Sequence, residues 1–565
     1  MSALASAPIR ARGRQALVGA LAVVLTIAVA VAIASGSPAS SGPRPEPGAA
    51  KLLGPTNPNS ILRFSLVLRL PGQRRLSHFL AALYDPRSPS YHHFIDAKTF
   101  GQRFGARTAQ LASVSRRLRD AGIQVTGEYP QRTALDARAS TRAIERLFGV
   151  RMMDYLAPDG RRFHAPLGTP ELPASLRAVL SAVAGLDERN IPAPRDVPRG
   201  GLAPADASTV YDLEPLYHQG IDGQGEKVAI LSLATFNQSD LDGFAQQFGL
   251  PPISVQQISP SQLGPATDTG KEPQGEVELD IEMVHGIAPA AQILDYNAPN
   301  TIDAFPDILD KIVADGQANI VSVSWGLCEP GWPTAEVQRM QQAVDAALSR
   351  GISIFVAAGD AGAYDCQRAQ NSDHHLAVDY PASSPGVVAV GGTSLSVTQT
   401  GGYAGEAPWE GALEESGGGG GRSVMFARPS WQQGTGVANR FSNGSRQVPD
   451  VAADADPYSG WSVFEQGQVI PVGGTSAAAP FWASSMALIA QYARLNGIGA
   501  LGFVDPTLYA LASSPQPAPP FHDVTFGTNR YYPATAGWDF ATGLGSPDVY
   551  NLAEDMVRYM KARRR

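Results

Sequence analysis

Gly473-Gly474-Thr475-Ser476-Ala477-Ala478-Ala479-Pro480 reads as a tight turn running into a helix of small residues. The paired glycines allow a sharp turn and a close backbone approach. The alanines favour helix and leave space beside the Ser476 hydroxyl. Such a turn suits an exposed nucleophile, and a helix N-terminus favours negative charge developing there. A serine that merely caps a buried strand-to-helix turn has the same local sequence, so the surrounding chain must decide.

Working outward, short apolar runs at 228–233, 292–296, 320–323, 352–357 and 387–390 alternate with helical stretches. That rhythm predicts an α/β fold, a doubly wound and mostly parallel sheet over residues 202–565. Chemistry in such sheets gathers beyond the carboxyl ends of the strands. Ser324-Trp325-Gly326 follows one run there and Gly359-Asp360 another.

Upstream the pattern differs. Residues 51–189 mix a strand at 61–68 with amphipathic helices at 76–84, 108–121 and 141–148, the last with Ser140 or Thr141 as cap. This predicts a compact α+β unit. Prolines and glycines crowd residues 190–201, which read as an exposed, cleavable linker. At 565 residues the chain is too long for one ordinary core, in keeping with two folded parts. Two cysteines exclude a disulfide-rich scaffold and a multi-cysteine zinc site.

Arg10, Arg12 and Arg14 precede an uncharged, largely apolar run at 16–36. Residues 1–36 read as an export signal, with Ala32-Ile33-Ala34 as a small-residue cleavage site, and 37–50 as a flexible spacer. The run is also long enough for an uncleaved anchor, so a secreted and a membrane-anchored extracytoplasmic protein both stand. No other membrane contact is expected.

The net charge of −8 conceals a division. Residues 1–200 carry 27 Lys and Arg against 13 Asp and Glu, and the remainder 17 against 39, balances of +14 and −22. The arginines are scattered among apolar residues without a dense basic tract, which argues against nucleic-acid binding. Mutual attraction of the halves is the simpler account, and it suggests a charge latch that acid would weaken.

Glu276 and Asp280 lie four apart in Glu276-Val277-Glu278-Leu279-Asp280-Ile281-Glu282, on one face of a predicted helix. Two such carboxylates can share a proton, accept the Ser476 proton and return it to a leaving amine. Glu278 and Glu282 form a second pair, so a solvated acidic face is the competing reading. The apolar flank at 280–289 argues against it.

With EVELD at 276–280, SVSWG at 322–326, AAGD ending at Asp360, PASSP at 381–385 and GGTSAAAP around Ser476, all in this order, the chain resembles the sedolisins, or serine-carboxyl peptidases, including kumamolisin-like members. The resemblance implies a subtilisin-like catalytic domain, an activation prodomain over 51–189 and therefore a zymogen. It makes Ser476 the nucleophile, Glu276 the general acid/base, Asp280 its proton-coupled partner and Asp360 the oxyanion stabiliser. A donor at Asp360 has to be protonated, which implies an acid-active endopeptidase of proteins or peptides. The prodomain would be the intramolecular inhibitor. Near the C-terminus the resemblance also implies one structural Ca²⁺ site, with the side chains of Asp523 and Asp539 and the carbonyls of Val524, Thr535 and Gly537.

Three further readings accompany this one. A subtilisin-type Ser/His/Asp peptidase needs a histidine base and an aspartate near the end of the first catalytic strand, where the chain has Ile230-Leu231-Ser232-Leu233. His285 is the histidine nearest the acidic segment and reads as structural. An esterase elbow would need a glycine after Ser476-Ala477. A catalytically silent secreted binding protein could keep the same fold. Of the remaining motifs, Ser394 in the second Gly-Gly-Thr-Ser reads as structural and 416–421 as a flexible glycine loop. Ser324, Trp325 and Gly326 are candidate substrate contacts, through a strand edge that pairs with peptide backbone and a ring that walls a pocket or fills the core. Cys328 and Cys366 are able to bridge across the site's rim in an oxidising compartment.

Overall fold

The computed structural model describes residues 50–157, 161–189, 193–194, 197–198, 201–267, 270–368, 374–411 and 415–563. The expected signal and nearly all of the spacer lie outside them, as does most of the linker. Among the described residues no helix is long and apolar enough to cross a membrane.

In the N-terminal part, antiparallel strands run in the order Gln124–Glu128, Ala134–Ser140, Ile61–Leu68, Leu180–Ala184. Alternation buries Phe64, Leu66 and Leu68 under the helices Thr108–Asp120 and Thr141–Phe148. Ser140 caps the latter, accepting from Ala143 N, and Phe64 meets Phe148 edge-on at 5.8 Å between centroids.

The C-terminal part is built on an eight-stranded sheet. Its main path runs Val255–Ile258, Gln292–Asn297, Lys227–Ser232, Ile320–Val323, Ser353–Ala357, Val388–Val397, Tyr403–Pro408, and Val451–Asp454 pairs with Val388–Val397 off that path. Every pairing is parallel except that of Tyr403–Pro408. The predicted runs form five of these strands. Val255–Ile258 and Tyr403–Pro408 escape the sequence pattern because both are half exposed and lack a continuous apolar run. Lys227–Ser232 comes first in the chain yet sits between later strands. The order reverses there, which opens a crevice at its carboxyl end. Two helices close on that crevice, Lys271–Ile287 and the almost wholly buried Thr475–Leu495, and they pack on each other.

The two parts dock mainly through Ala304–Asp315 and Thr334–Arg350 of the catalytic part. Gln131 Nε2 donates to Asp310 Oδ1 at 2.7 Å, Ile95 N to Ser349 O at 2.9 Å, and Gly185 N to Glu336 Oε1. Asp307 and Asp310 are neutralised by Arg339 of their own half. Among the described residues, the amide of Gln131 and the N–H of Gly185 meet carboxylates of the acidic half at this surface. Burial raises Glu336 to about 8 and Asp303 to about 6. Protons on these two buried groups favour the state in which they are buried.

Candidate active site

Gly474 turns the chain from the strand Gln468–Gly473 into the helix Thr475–Leu495 with φ 105°, a conformation that side-chain-bearing residues rarely adopt. At Gly473 a Cβ would lie 2.5 Å from Pro457 N, so the backbone passes where no side chain fits. Ser476 thus stands in the first turn of the helix, fully buried, with Oγ donating to Ser324 O at 3.4 Å.

Ser324 follows the strand Ile320–Val323 and joins three parts of the site. Its carbonyl meets the Ser476 hydroxyl. Its own hydroxyl donates to Asp280 Oδ1 at 2.6 Å, with a second contact to Ser476 O at 3.2 Å. Asp280 and Glu276 are both fully buried on Lys271–Ile287, one turn apart. Burial holds the Asp280 carboxyl well above the usual carboxylate range. The Ser324 hydrogen bond opposes that rise, and the charge of Asp295 adds to it. The other acidic pair is buried too: Glu278 accepts from Asn237 N and Glu282 from Phe464 N, so a solvated acidic face is excluded.

Asp360 lies just beyond the strand Ser353–Ala357. Its Oδ1 accepts from Thr475 N and Thr475 Oγ1, both at 2.8 Å, which ties it to the residue before Ser476. Residues 416–421 buttress it and are not a flexible loop. All six are buried; Gly417 N donates to Asp360 O at 2.9 Å and Gly419 N to Gly359 O at 2.7 Å. A Cβ at Gly419 would lie 1.9 Å from Ala358 O. Consecutive glycines marked close backbone approach here, a signal the composition contained and the loop reading overlooked.

Trp325 is 1% exposed and its ring fills the core, while its backbone forms the strand Trp325–Cys328. That edge is used. Trp325 and Gly326 pair antiparallel with Pro194 and Ala193 of the linker, and Val472 and Gly473 pair antiparallel with Pro198 and Val197. The linker therefore lies against a strand on each side of the Ser476 turn, as a peptide substrate would.

The other candidates fall away from the site. His285 Nε2 lies 2.8 Å from Pro251 O, and burial lowers its pKa. Ser394 Oγ donates to Asp456 Oδ2 at 2.6 Å, a structural role. Cys328 and Cys366 are buried together with Ala377, and no disulfide joins them in this structure.

At the C-terminal site Asp523 Oδ2 accepts from Gly537 N at 2.9 Å, and Asp539 Oδ2 from Thr535 N at 2.7 Å, so both carboxylates turn onto one loop. Among the described residues no N–H donates to the carbonyls of Val524, Thr535 or Gly537. Burial raises Asp539 to about 7 and also raises Asp523. Two carboxylates turned onto one loop beside three carbonyls fit a hard divalent ion. A pocket of about 260 Å³ adjoins this site at Asp523, Trp538 and Phe521, away from Ser476.

Comparison with known proteins agrees with this architecture. Residues 49–189 match the Pro-kumamolisin activation domain, and residues 266–498 match the Subtilase family. The chain is 34% identical to kumamolisin of Bacillus sp. (strain MN-32) over 497 residues, covering 83% of this chain and 87% of that protein. It is 29% identical to sedolisin of Pseudomonas sp. (strain 101) over 522 residues, 86% and 85% of the two chains. The solved structure of Pseudomonas sedolisin, a serine-carboxyl proteinase complexed with pseudo-iodotyrostatin, superposes with a TM-score of 0.56 at 30% identity, covering 65% of this chain and 99% of that one. The chain is a member of the sedolisin family of serine-carboxyl peptidases, with an activation prodomain ahead of its subtilisin-like peptidase domain.

Proposed function

We propose that this chain is an exported, acid-active endopeptidase that processes itself by cutting its own linker. Ser476 attacks the scissile carbonyl, Glu276 takes the serine proton and returns it to the leaving amine, and Asp280 shares that proton. Asp360 would donate to the tetrahedral oxyanion when it carries a proton, while its Oδ1 accepts twice from Thr475. A Ca²⁺ held by Asp523, Asp539 and the carbonyls of Val524, Thr535 and Gly537 would supply structural charge neutralisation only. The export reading rests on residues 1–36 of the sequence.

One observation carries this reading. The linker pairs on both sides of the nucleophile turn, at Ala193–Pro194 and at Val197–Pro198. A cleft that grips backbone on both sides suits internal bonds of a chain, and the pairing of the prodomain's own connection there supports self-processing.

The test is incubation of the purified precursor over an acid-to-neutral series, beside Ser476→Ala and Asp360→Asn. The expected result is acid-dependent cleavage of the linker between residues 194 and 197 in the parent, none in Ser476→Ala, and cleavage with a weaker demand for acid in Asp360→Asn. A parent that stays intact throughout and cuts no added protein overturns the proposal. Products made only of short pieces from free N-termini overturn its endopeptidase part.

A further inference from the structure

Asp295 is a fully buried carboxylate with no role in the reaction described above. It lies near the carboxyl end of the strand Gln292–Asn297, beside Lys227–Ser232, which in turn lies beside Ile320–Val323. Register aligns Asp295 with Ile230 and Ser322 in one row, and Asn297 with Ser232 two residues on. Leu231 pairs with Val323, so Ser232 and Ser324 are the next neighbours along the same two strands. Side chains opposite one another in a parallel sheet share a face, and alternate residues return to it. Asp295, Ser232 and Ser324 therefore occupy one face, the one from which Asp280 receives Ser324.

The hydrogen bonds complete the row. Ser232 Oγ donates to Asp295 Oδ1, and Asn297 Nδ2 to Asp295 Oδ2 at 2.7 Å. Ser324 Oγ donates to Asp280 Oδ1. Two serines thus stand side by side, each holding a buried carboxylate. We infer that Asp295 is a positioning residue of the active site, a third buried carboxylate that acts on the Glu276/Asp280 pair across the carboxyl ends of three adjacent strands. This rests on the roles proposed for Glu276, Asp280 and Ser476.

The sign follows from the repulsion of like charges. Burial raises Asp295 to about 6, while the hydrogen bonds from Ser232, Asn297 and Gln257 pull it down. Asp280 is raised well above the usual carboxylate range, first by burial, and the charge of Asp295 adds to that rise. With Asp295 ionised, Asp280 has to take a second like charge beside it, which makes its ionisation costlier. Around Asp295 the strand Val255–Ile258 supplies Gln257, and the strand Lys227–Ser232 supplies Ser232, neither of them charged. An ionised Asp295 therefore keeps the shared proton on the pair to higher pH than burial alone would.

The experiment measures kcat and KM of the self-processed full chain on an internally quenched peptide over a pH series, for the parent, Asp295→Asn and Ser232→Ala. Asp295→Asn removes the charge at nearly constant shape. It is expected to move the alkaline limb of the kcat profile to lower pH by about half a unit or more, with KM little changed. Ser232→Ala removes a donor that stabilises the ionised form of Asp295, keeps it neutral over more of the range and moves the limb the same way. It also decides the matter if Asp295→Asn does not fold. A limb that stays in place in the folded variants overturns the inference, whatever happens to kcat, because a merely structural carboxylate would change activity without displacing the profile. Ser476→Ala and Glu276→Gln separate the two levels. If they abolish turnover while the limb stays put, the inference alone fails; if they leave turnover intact, the proposed roles fail and the inference with them.

Discussion

Ser324 Oγ donates to Asp280 Oδ1 at 2.6 Å, while the carbonyl of Ser324 accepts from the nucleophile's hydroxyl at 3.4 Å. One residue beyond a central strand thus couples the acid helix to the nucleophile helix. Ser324→Ala is expected to lower kcat by about 10- to 100-fold, the worth of a hydrogen bond to an ionisable group, with a smaller change in KM. It removes a contact that lowers the Asp280 pKa, so the alkaline limb should move up, opposite to Asp295→Asn. A pH series on both variants reads the two signs.

Asp360→Asn and Asp360→Ala separate tether from donor. The asparagine oxygen can keep both bonds from Thr475 and its amide donates at any pH, whereas alanine supplies neither. Alanine is expected to reduce kcat by about 10²- to 10³-fold. Asparagine should retain more activity and show a weaker demand for acid. Equal loss in both variants would show that the carboxyl group acts through something other than a donated hydrogen bond.

Removal of divalent ions should make stability depend on pH. The carboxyls of Asp539 and Asp523 are raised by burial in the folded chain, the former to about 7. Without an ion, their contribution is full below the unfolded-state aspartate pKa and is lost as pH rises toward 7. In EDTA the Tm should therefore fall from pH 4 to pH 7 more steeply than in millimolar Ca²⁺. At a hundredfold excess over Kd the ion would contribute about 2.7 kcal/mol. Parallel thermal melts with Asp539→Asn check it: the variant should lose the calcium response.

Release of the cleaved prodomain should become easier as pH rises. Glu336, which accepts from Gly185 N, is raised to about 8, and Asp303 beside Gly185 to about 6, both chiefly by burial. Groups raised in the complex favour it when protonated and oppose it as they ionise, which sets the window at about pH 6 to 8. Size-exclusion chromatography of the processed chain should show co-elution in acid and separation toward neutrality. Glu336→Gln should flatten that dependence.

Much of this was legible without coordinates. The short, largely apolar runs at 228–233 and 320–323, alternating with helical stretches, read as strands buried on both faces, with helices above and below them. The Gly-Gly before Thr475, the spacing of Glu276 and Asp280, and Asp360 past a strand end were read from local chemistry. Each follows from a rule that acts over a few residues, so the sequence suffices.

What tertiary structure alone decided involves residues far apart in the chain. Gly419 presses on Ala358, Asp295 and Asp280 are each held by a serine on adjacent strands, and the linker pairs with Gly326 and Gly473. Net charge sums over whole surfaces, whereas the contact depends on which few groups are buried in it. There, the amide of Gln131 and the N–H of Gly185 meet carboxylates. Sheet order and strand register create these neighbours, and neither is written in local propensity, because both depend on how all the strands close on one core at once.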